Sequence, residues 1–256
     1  RRLRFQAGEE RVRGLLPAAM RGPVFGTLGR VWPKADWAPR SLRAKTTFQS
    51  LATDGAEGYA RAVCVTTPAL RAGLFSDAAR RALSGHRAED RYIAAMRDAP
   101  AREPLDRAQY ADMKIWLPGD ILTKSDRTSM AVGLEAREPL LDHRLIEFAA
   151  RLPVSMRVRG GQGKWLMKKS LERYLPKDVL YRPKMGFVTP VSAWFRAGLA
   201  DEAAALSQSR VLAETGWFDL DRLGALTATH RSGREEHGRT LWQFVMLEKS
   251  LQRLFG

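Results

Sequence analysis

Leu122 to Asp142 reads LTKSDRTSMAVGLEAREPLLD and sets four acids, three bases and a proline between segments with the periodicity of buried helix. Its punctuation gives a local structure. Ser125 or Asp126 stands where it can cap a short helix through RTSMAV, and Gly133 can end that helix in a left-handed conformation. Pro139 disfavours a helical Glu138, so LEAREP is expected as an open, extended connector. Asp142 then occupies an N-cap position, with Leu141 and Ile146 as a hydrophobic staple and Leu145, Ala149 and Leu152 as the buried stripe of the next helix. Glu135, Arg137 and Glu138 fall in the connector. Charges held between rigid apolar flanks suit a site. An ion pair of Arg137 with Glu135, Glu138 or Asp126, serving structure alone, fits the same spacing.

Working outward, helical periodicity recurs across Ser41–Leu51, Glu57–Val65, Asp77–Leu83, Glu89–Met96, Pro104–Ile115, Arg144–Leu152, Lys164–Leu175, Ser192–Leu206, Leu220–Thr229 and Thr240–Leu254. The fold class is mainly α. VSMRVRG, Val154–Gly160, alternates like a single edge strand. RGPVFGTLGRVWPKADWAP and THRSGREEHG read as loops. In the last helix Trp242, Phe244, Leu247, Leu251, Leu254 and Phe255 form one apolar face, expected in the core.

Composition narrows the function. The 256 residues carry a formal charge of +15, which invites a nucleic-acid reading. Basic residues are spread from Arg1 to Arg253 with acids interleaved, and no nucleic-acid-binding motif is present, so a solvated basic surface is expected and no nucleic-acid partner. No apolar run approaches a membrane span and the N-terminus lacks a signal-peptide pattern, so a cytoplasmic protein without a membrane partner is expected. The single cysteine, Cys64, lies in YARAVCV, where it reads as a buried small hydrophobe. His230 and His237 flank Glu235 and Glu236 in a Gly/Ser-rich loop without a third strong ligand, so no metal site is assigned.

Two further segments display cations. GGQGKWLMKKSLERYLP leads through glycines to Lys164 at the start of an amphipathic helix whose Met167, Leu171 and Tyr174 are expected to face inward. A lysine there opposes the helix dipole and is best understood beside an anion or carboxylate. In YRPKMGF, Pro183 keeps Arg182 extended, Gly186 permits a turn, and Lys184 is presented as a compact charge suited to a phosphate oxygen. A surface lysine in a loop fits the same residues.

The order of these segments, LPGDILTKSDRTSMAVGLEAREPLLDHRLIEFAARLP, then GKWLMKKSL, then LPKDVLYRPKMGFVTPVSAWF, resembles the synthetase domain of glutamine-dependent asparagine synthetases and of related amidotransferases in exopolysaccharide gene clusters. The match runs over about Pro104–Arg196. It implies that residues 1–256 are the helical C-terminal part of an α/β adenine-nucleotide synthetase domain of the PP-loop ATP pyrophosphatase type. It further implies a ligase that uses ATP, with Mg2+, to convert the aspartate side-chain carboxylate to an acyl-adenylate, which ammonia released from glutamine then amidates. By resemblance Glu135 is the glutamate of adenylate formation and ammonia attack, and Lys184 the pyrophosphate-side lysine. Asp126, Arg127, Arg137 and Lys164 would shape the site. The family's N-terminal nucleophilic cysteine, its S-G-G-x-D-S loop and the G-D-G-G-D-E stretch do not occur in this sequence. The opening RRLRF resembles the residues directly C-terminal to that last stretch in the family, so an upstream glutaminase domain of the same polypeptide is expected as a partner and the 256 residues alone are expected to be inactive. A related adenylating amidotransferase acting on another carboxylate in exopolysaccharide production, or a non-catalytic basic helical binding module, remain the alternatives.

Overall fold

The computed structural model describes residues 2–32, 44–183 and 189–255. Helices dominate them. α1 (Arg2–Gly14), α2 (Ala18–Arg21), a π-helical turn at Gly22–Gly26 and α3 (Thr27–Val31) come first. α4 (Lys45–Leu51), α5 (Gly55–Val63), α6 (Pro68–Leu74), α7 (Asp77–Leu83), α8 (Ala88–Arg97) and α9 (Pro104–Ala111) come next. Side-chain caps start several of them: Asp54 accepts from the N–H groups of Ala56 and Glu57, Thr67 from Leu70 and Ser76 from Ala79. These oxygens satisfy donors that the first helical turn leaves open.

α9 passes without a break into a π-helical segment, Asp112–Leu122, and then α10 (Thr123–Met130). Pro118 lies inside this segment. It has no N–H to donate, and its ring would clash with an α-helical carbonyl, so a wider turn accommodates it. A 3-10 turn (Pro139–Leu141) precedes α11 (His143–Arg151), α12 (Val154–Arg157), the paired strands β1 (Val158–Arg159) and β2 (Gln162–Gly163), α13 (Trp165–Leu171) and α14 (Lys177–Tyr181). Last come α15 (Val191–Trp194), α16 (Ala200–Ala205), a 3-10 turn (Leu206–Gln208), α17 (Arg210–Thr215), α18 (Leu220–Arg231) and α19 (Gly238–Phe255).

Two apolar clusters hold these helices. Tyr59, Ala60, Tyr92, Ile93, Met96, Ala108 and Ala111 pack α5, α8 and α9 together. α1 is tied beneath them through Arg13, whose guanidinium is buried, donates to the carbonyls of Thr53 and Ser50, and pairs with Glu9 and Glu10. A charge so deep is tolerated because its donors are met. The second cluster, built around Phe195, Leu206, Leu212, Leu223, Leu241 and Phe244, gathers α6 and α16 to α19. The two are joined where Arg71 of α6 donates to both oxygens of Glu89 on α8 at 2.5 Å.

Several expectations need correction. Val154–Gly160 is not one edge strand: its first half is a helical turn and its second half pairs with Gln162–Gly163 in a hairpin. Gly160 and Gly161 both have positive φ, the requirement of a tight two-residue hairpin loop. The N-terminal stretch read as loop contains helix at 22–31, and THRSGREEHG is helical at both ends. Trp242, Leu254 and Phe255 are exposed, so the core face of α19 stops at Leu251. Met167 and Tyr174 face outward, and Leu145 is exposed rather than part of a buried stripe. Cys64 is half-buried just after α5.

Candidate functional site

Ser125 and Asp126 do not cap a new helix, because α10 continues the π segment and places both inside it. The end of α10 agrees with the sequence. Gly133 takes φ +72°, its N–H reaches the Met130 carbonyl, and the Leu134 N–H reaches the Ser129 carbonyl. This double closure satisfies the last carbonyls of the helix. The chain is then open through Glu138. Asp142 caps α11 as expected: its Oδ1 accepts from the Arg144 N–H, and the Arg144 guanidinium holds the carboxyl below the usual carboxylate range.

Within the connector Arg137 Nη2 donates to Glu135 Oε1 at 2.8 Å, with side chains 81% and 67% exposed. A pair so open to water contributes little to folding. Asp126 and Arg127 are exposed on α10, and Lys164 is exposed at the turn before α13. Lys164 adopts φ +59°, a left-handed conformation uncommon for a side-chain-bearing residue. Lys184 lies outside the described residues. Glu135 and Arg137 are therefore paired, whereas among the described residues neither makes a hydrogen bond or ion pair with Lys164.

The surroundings are unusual. From Asp112 to Pro183 no residue is buried, although Met130, Val132, Leu134, Leu140, Phe148 and Leu175 lie in this stretch and are exposed. Of the apolar flanks expected to clamp the connector, Leu141, Ile146, Ala149 and Leu152 are only half-buried and Leu145 is exposed. An exposed apolar surface of this extent marks an interaction face. No three of His, Cys, Asp and Glu converge as a metal site among the described residues.

Two anchors of this stretch were not singled out in the sequence. Tyr59 donates to Asp112 Oδ2 at 2.7 Å, fixing the start of the π segment against the first cluster. Arg157 donates to Gln109 Oε1 and pairs with Asp106, tying the end of α12, just before the hairpin, to α9. Both depend on partners 48 or more residues apart, which no local pattern reveals. His230 is fully buried: its Nδ1 accepts from the His237 N–H, so its Nε2 donates to the Ser192 carbonyl.

A family model described as Asparagine synthase matches residues 9–252. A Mycobacterium bovis protein provisionally named a glutamine-hydrolyzing asparagine synthetase is 36% identical over 146 residues, covering 56% of this chain and 22% of that protein. The Bacillus subtilis protein named glutamine-hydrolyzing asparagine synthetase 1 is 29% identical over 142 residues, with the same shares. The Mesocricetus auratus glutamine-hydrolyzing asparagine synthetase is 38% identical over 105 residues, covering 38% of this chain and 18% of that protein. The matches span about a fifth of the length of these relatives. No solved structure matches.

Proposed function

The chain belongs to the asparagine synthase family, and from that premise we propose that it forms one wall of an ATP-dependent amidation site completed by further segments of a longer polypeptide. The observation that supports this reading most is the poorly buried stretch 112–183. It carries every candidate residue except Lys184, none of its apolar side chains is fully buried, and several, among them Met130, Val132, Leu134 and Phe148, are exposed. The remaining length of the relatives is ample to provide a cover.

In this reading an oxygen of the aspartate side chain attacks the α-phosphorus of ATP and pyrophosphate leaves. Ammonia, released from glutamine in a separate glutaminase domain, then attacks the acyl carbon and AMP leaves. Glu135 accepts the proton that the attacking nitrogen loses, with Arg137 orienting its carboxylate. Lys184 offsets charge on the departing pyrophosphate. Asp126, Arg127 and Lys164 shape the ATP and substrate side. Mg2+ would be held by the phosphates and by residues outside this chain. The reaction belongs in the cytoplasm, where ATP and free aspartate are available.

The test is pyrophosphate release by the complete polypeptide with ATP, glutamine and aspartate. Glu135→Ala should abolish aspartate-dependent AMP formation and leave glutamine hydrolysis intact. Lys184→Ala should slow pyrophosphate release about a hundredfold or more, with poor rescue by Lys184→Arg. Near-normal rates in all three variants would remove both residues from the site. A second reading, amidation of another carboxylate, shares these residues and predicts AMP formation with that acceptor in place of aspartate.

A further inference from the structure

A cleft of about 630 Å³ opens where the end of α5, the first half of α8 and the π segment meet, and none of its lining residues belongs to α10 or the connector. That volume lies within the range of small-ligand sites. Much of its surface is apolar, with Val63, Ile115 and Pro118 beside the rings of Tyr92 and Trp116.

Two cations reach the cleft from different elements, Arg91 from α8 and Lys114 from the π segment. Their neighbours set the contrast. Arg71 pairs with Glu89, Arg87 with Glu57 and Asp90, and Arg97 with Asp54. Arg91 and Lys114 pair with no carboxylate among the described residues; Lys114 lies over the Tyr110 ring at 5.6 Å. The one acid in the lining, Asp120, stands 3.8 Å from Lys124. The cleft therefore offers two positive charges without a carboxylate partner beside a largely apolar lining that includes two aromatic rings.

We infer that this cleft binds a small organic anion with a flat apolar body, its charged group between Arg91 and Lys114 and its body against Trp116 and Tyr92. Charge alone would favour any anion; the rings select one that also buries apolar area. The inference uses none of the residues assigned to the adenylation reaction, but Lys114 to Asp120 lie in the stretch to which that reading gives an opposite wall, so it holds for the cleft as this chain alone presents it.

Cys64 supplies a local reporter, because it lines the cleft and is the only cysteine of the 256 residues. The experiment monitors carbamidomethylation of Cys64 by iodoacetamide, a neutral reagent, measured on the Cys64 peptide by mass spectrometry. The probes are naphthalene-2-sulfonate and the uncharged 2-naphthalenemethanol. The sulfonate should slow labelling saturably, at a concentration about fivefold or more below that of the alcohol. Arg91→Gln with Lys114→Gln should abolish this preference while leaving protection by the alcohol in place. Both side chains are exposed, so the double variant should fold, and an unchanged thermal melt checks this. Absence of saturable protection, equal potency of the two probes, or a preference that survives in the double variant would overturn the inference.

Discussion

Two carboxylates at opposite extremes of burial show how surroundings decide what a substitution costs. Glu89 is 1% exposed and grips Arg71 through both oxygens. Burial pushes its carboxyl up, but the hydrogen bonds and charge of Arg71 outweigh that and hold it below the usual carboxylate range. A depressed folded pKa means the folded state holds fewer protons than the unfolded one as pH falls through this range. The contribution of Glu89 is therefore present above about pH 4.5, the ordinary value, and is lost as pH drops through the folded value. Glu89→Gln leaves the guanidinium without its counter-charge and should cost about 3 kcal/mol at neutral pH. Urea melts should show the gap between wild type and variant narrowing as pH is lowered below the carboxylate range. A gap independent of pH would mean that lost packing, not the ion pair, sets the cost. Glu135 lies at the other extreme. Its pair with Arg137 is open to water, so Glu135→Ala should change the unfolding free energy of this chain by less than about 0.5 kcal/mol. A larger loss would favour the structural ion-pair role that the spacing also allowed.

At the scale of elements, the contact between α15 and α19 makes a sharp case. The chain at Ser192 passes so close to Gly238 that a Cβ there would lie 2.6 Å from the Ser192 Cα. Gly238→Ala should push the two helices apart at a cost of about 1–3 kcal/mol, read as a lowered denaturant midpoint. Backbone cannot rotate away as a side chain can, so Ser192→Ala should not relieve it. Glycine at this place was invisible beforehand, since its reason is a long-range approach. Legibility elsewhere showed the same division. The left-handed end at Gly133 and the cap at Asp142 were readable because each is decided within a few residues. The hairpin at Gly160–Gly161 was missed although its signal was local: a paired glycine loop outweighs the alternation that precedes it. Asp126 does not act as a cap because the upstream helix continues through Pro118 by way of the π segment. The candidate site divides likewise, with the Glu135–Arg137 contact among those the spacing offered and the tyrosine anchor of Asp112 beyond any local reading.

For the whole molecule, the decisive feature is that the two buried clusters, apart from the α6 residues of the second, lie on either side in sequence of a long stretch with no fully buried residue. α11 repeats apolar residues at helical spacing, yet Phe148 is 58% exposed and Val132, before it, is 80% exposed. In a self-sufficient domain such residues would be core, and the cost of substituting them would appear in the domain's own stability. Here the prediction separates. In the 256-residue chain, Phe148→Ser and Val132→Ser should leave the unfolding midpoint nearly unchanged and reduce self-association seen by sedimentation, because each removes exposed apolar area. In the complete polypeptide, where the proposed opposite wall covers this face, Phe148→Ser should cost about 2–3 kcal/mol through lost burial. The same comparison bears on catalysis. Glu135 and Arg137 can exclude water from a reacting group only when that cover is in place, so the 256-residue chain alone should release no pyrophosphate from ATP. Equal destabilisation by Phe148→Ser in the short chain and in the complete polypeptide would show that the face is already covered within these 256 residues. The proposed second wall would then be unnecessary, and the amidation site would have to be sought elsewhere.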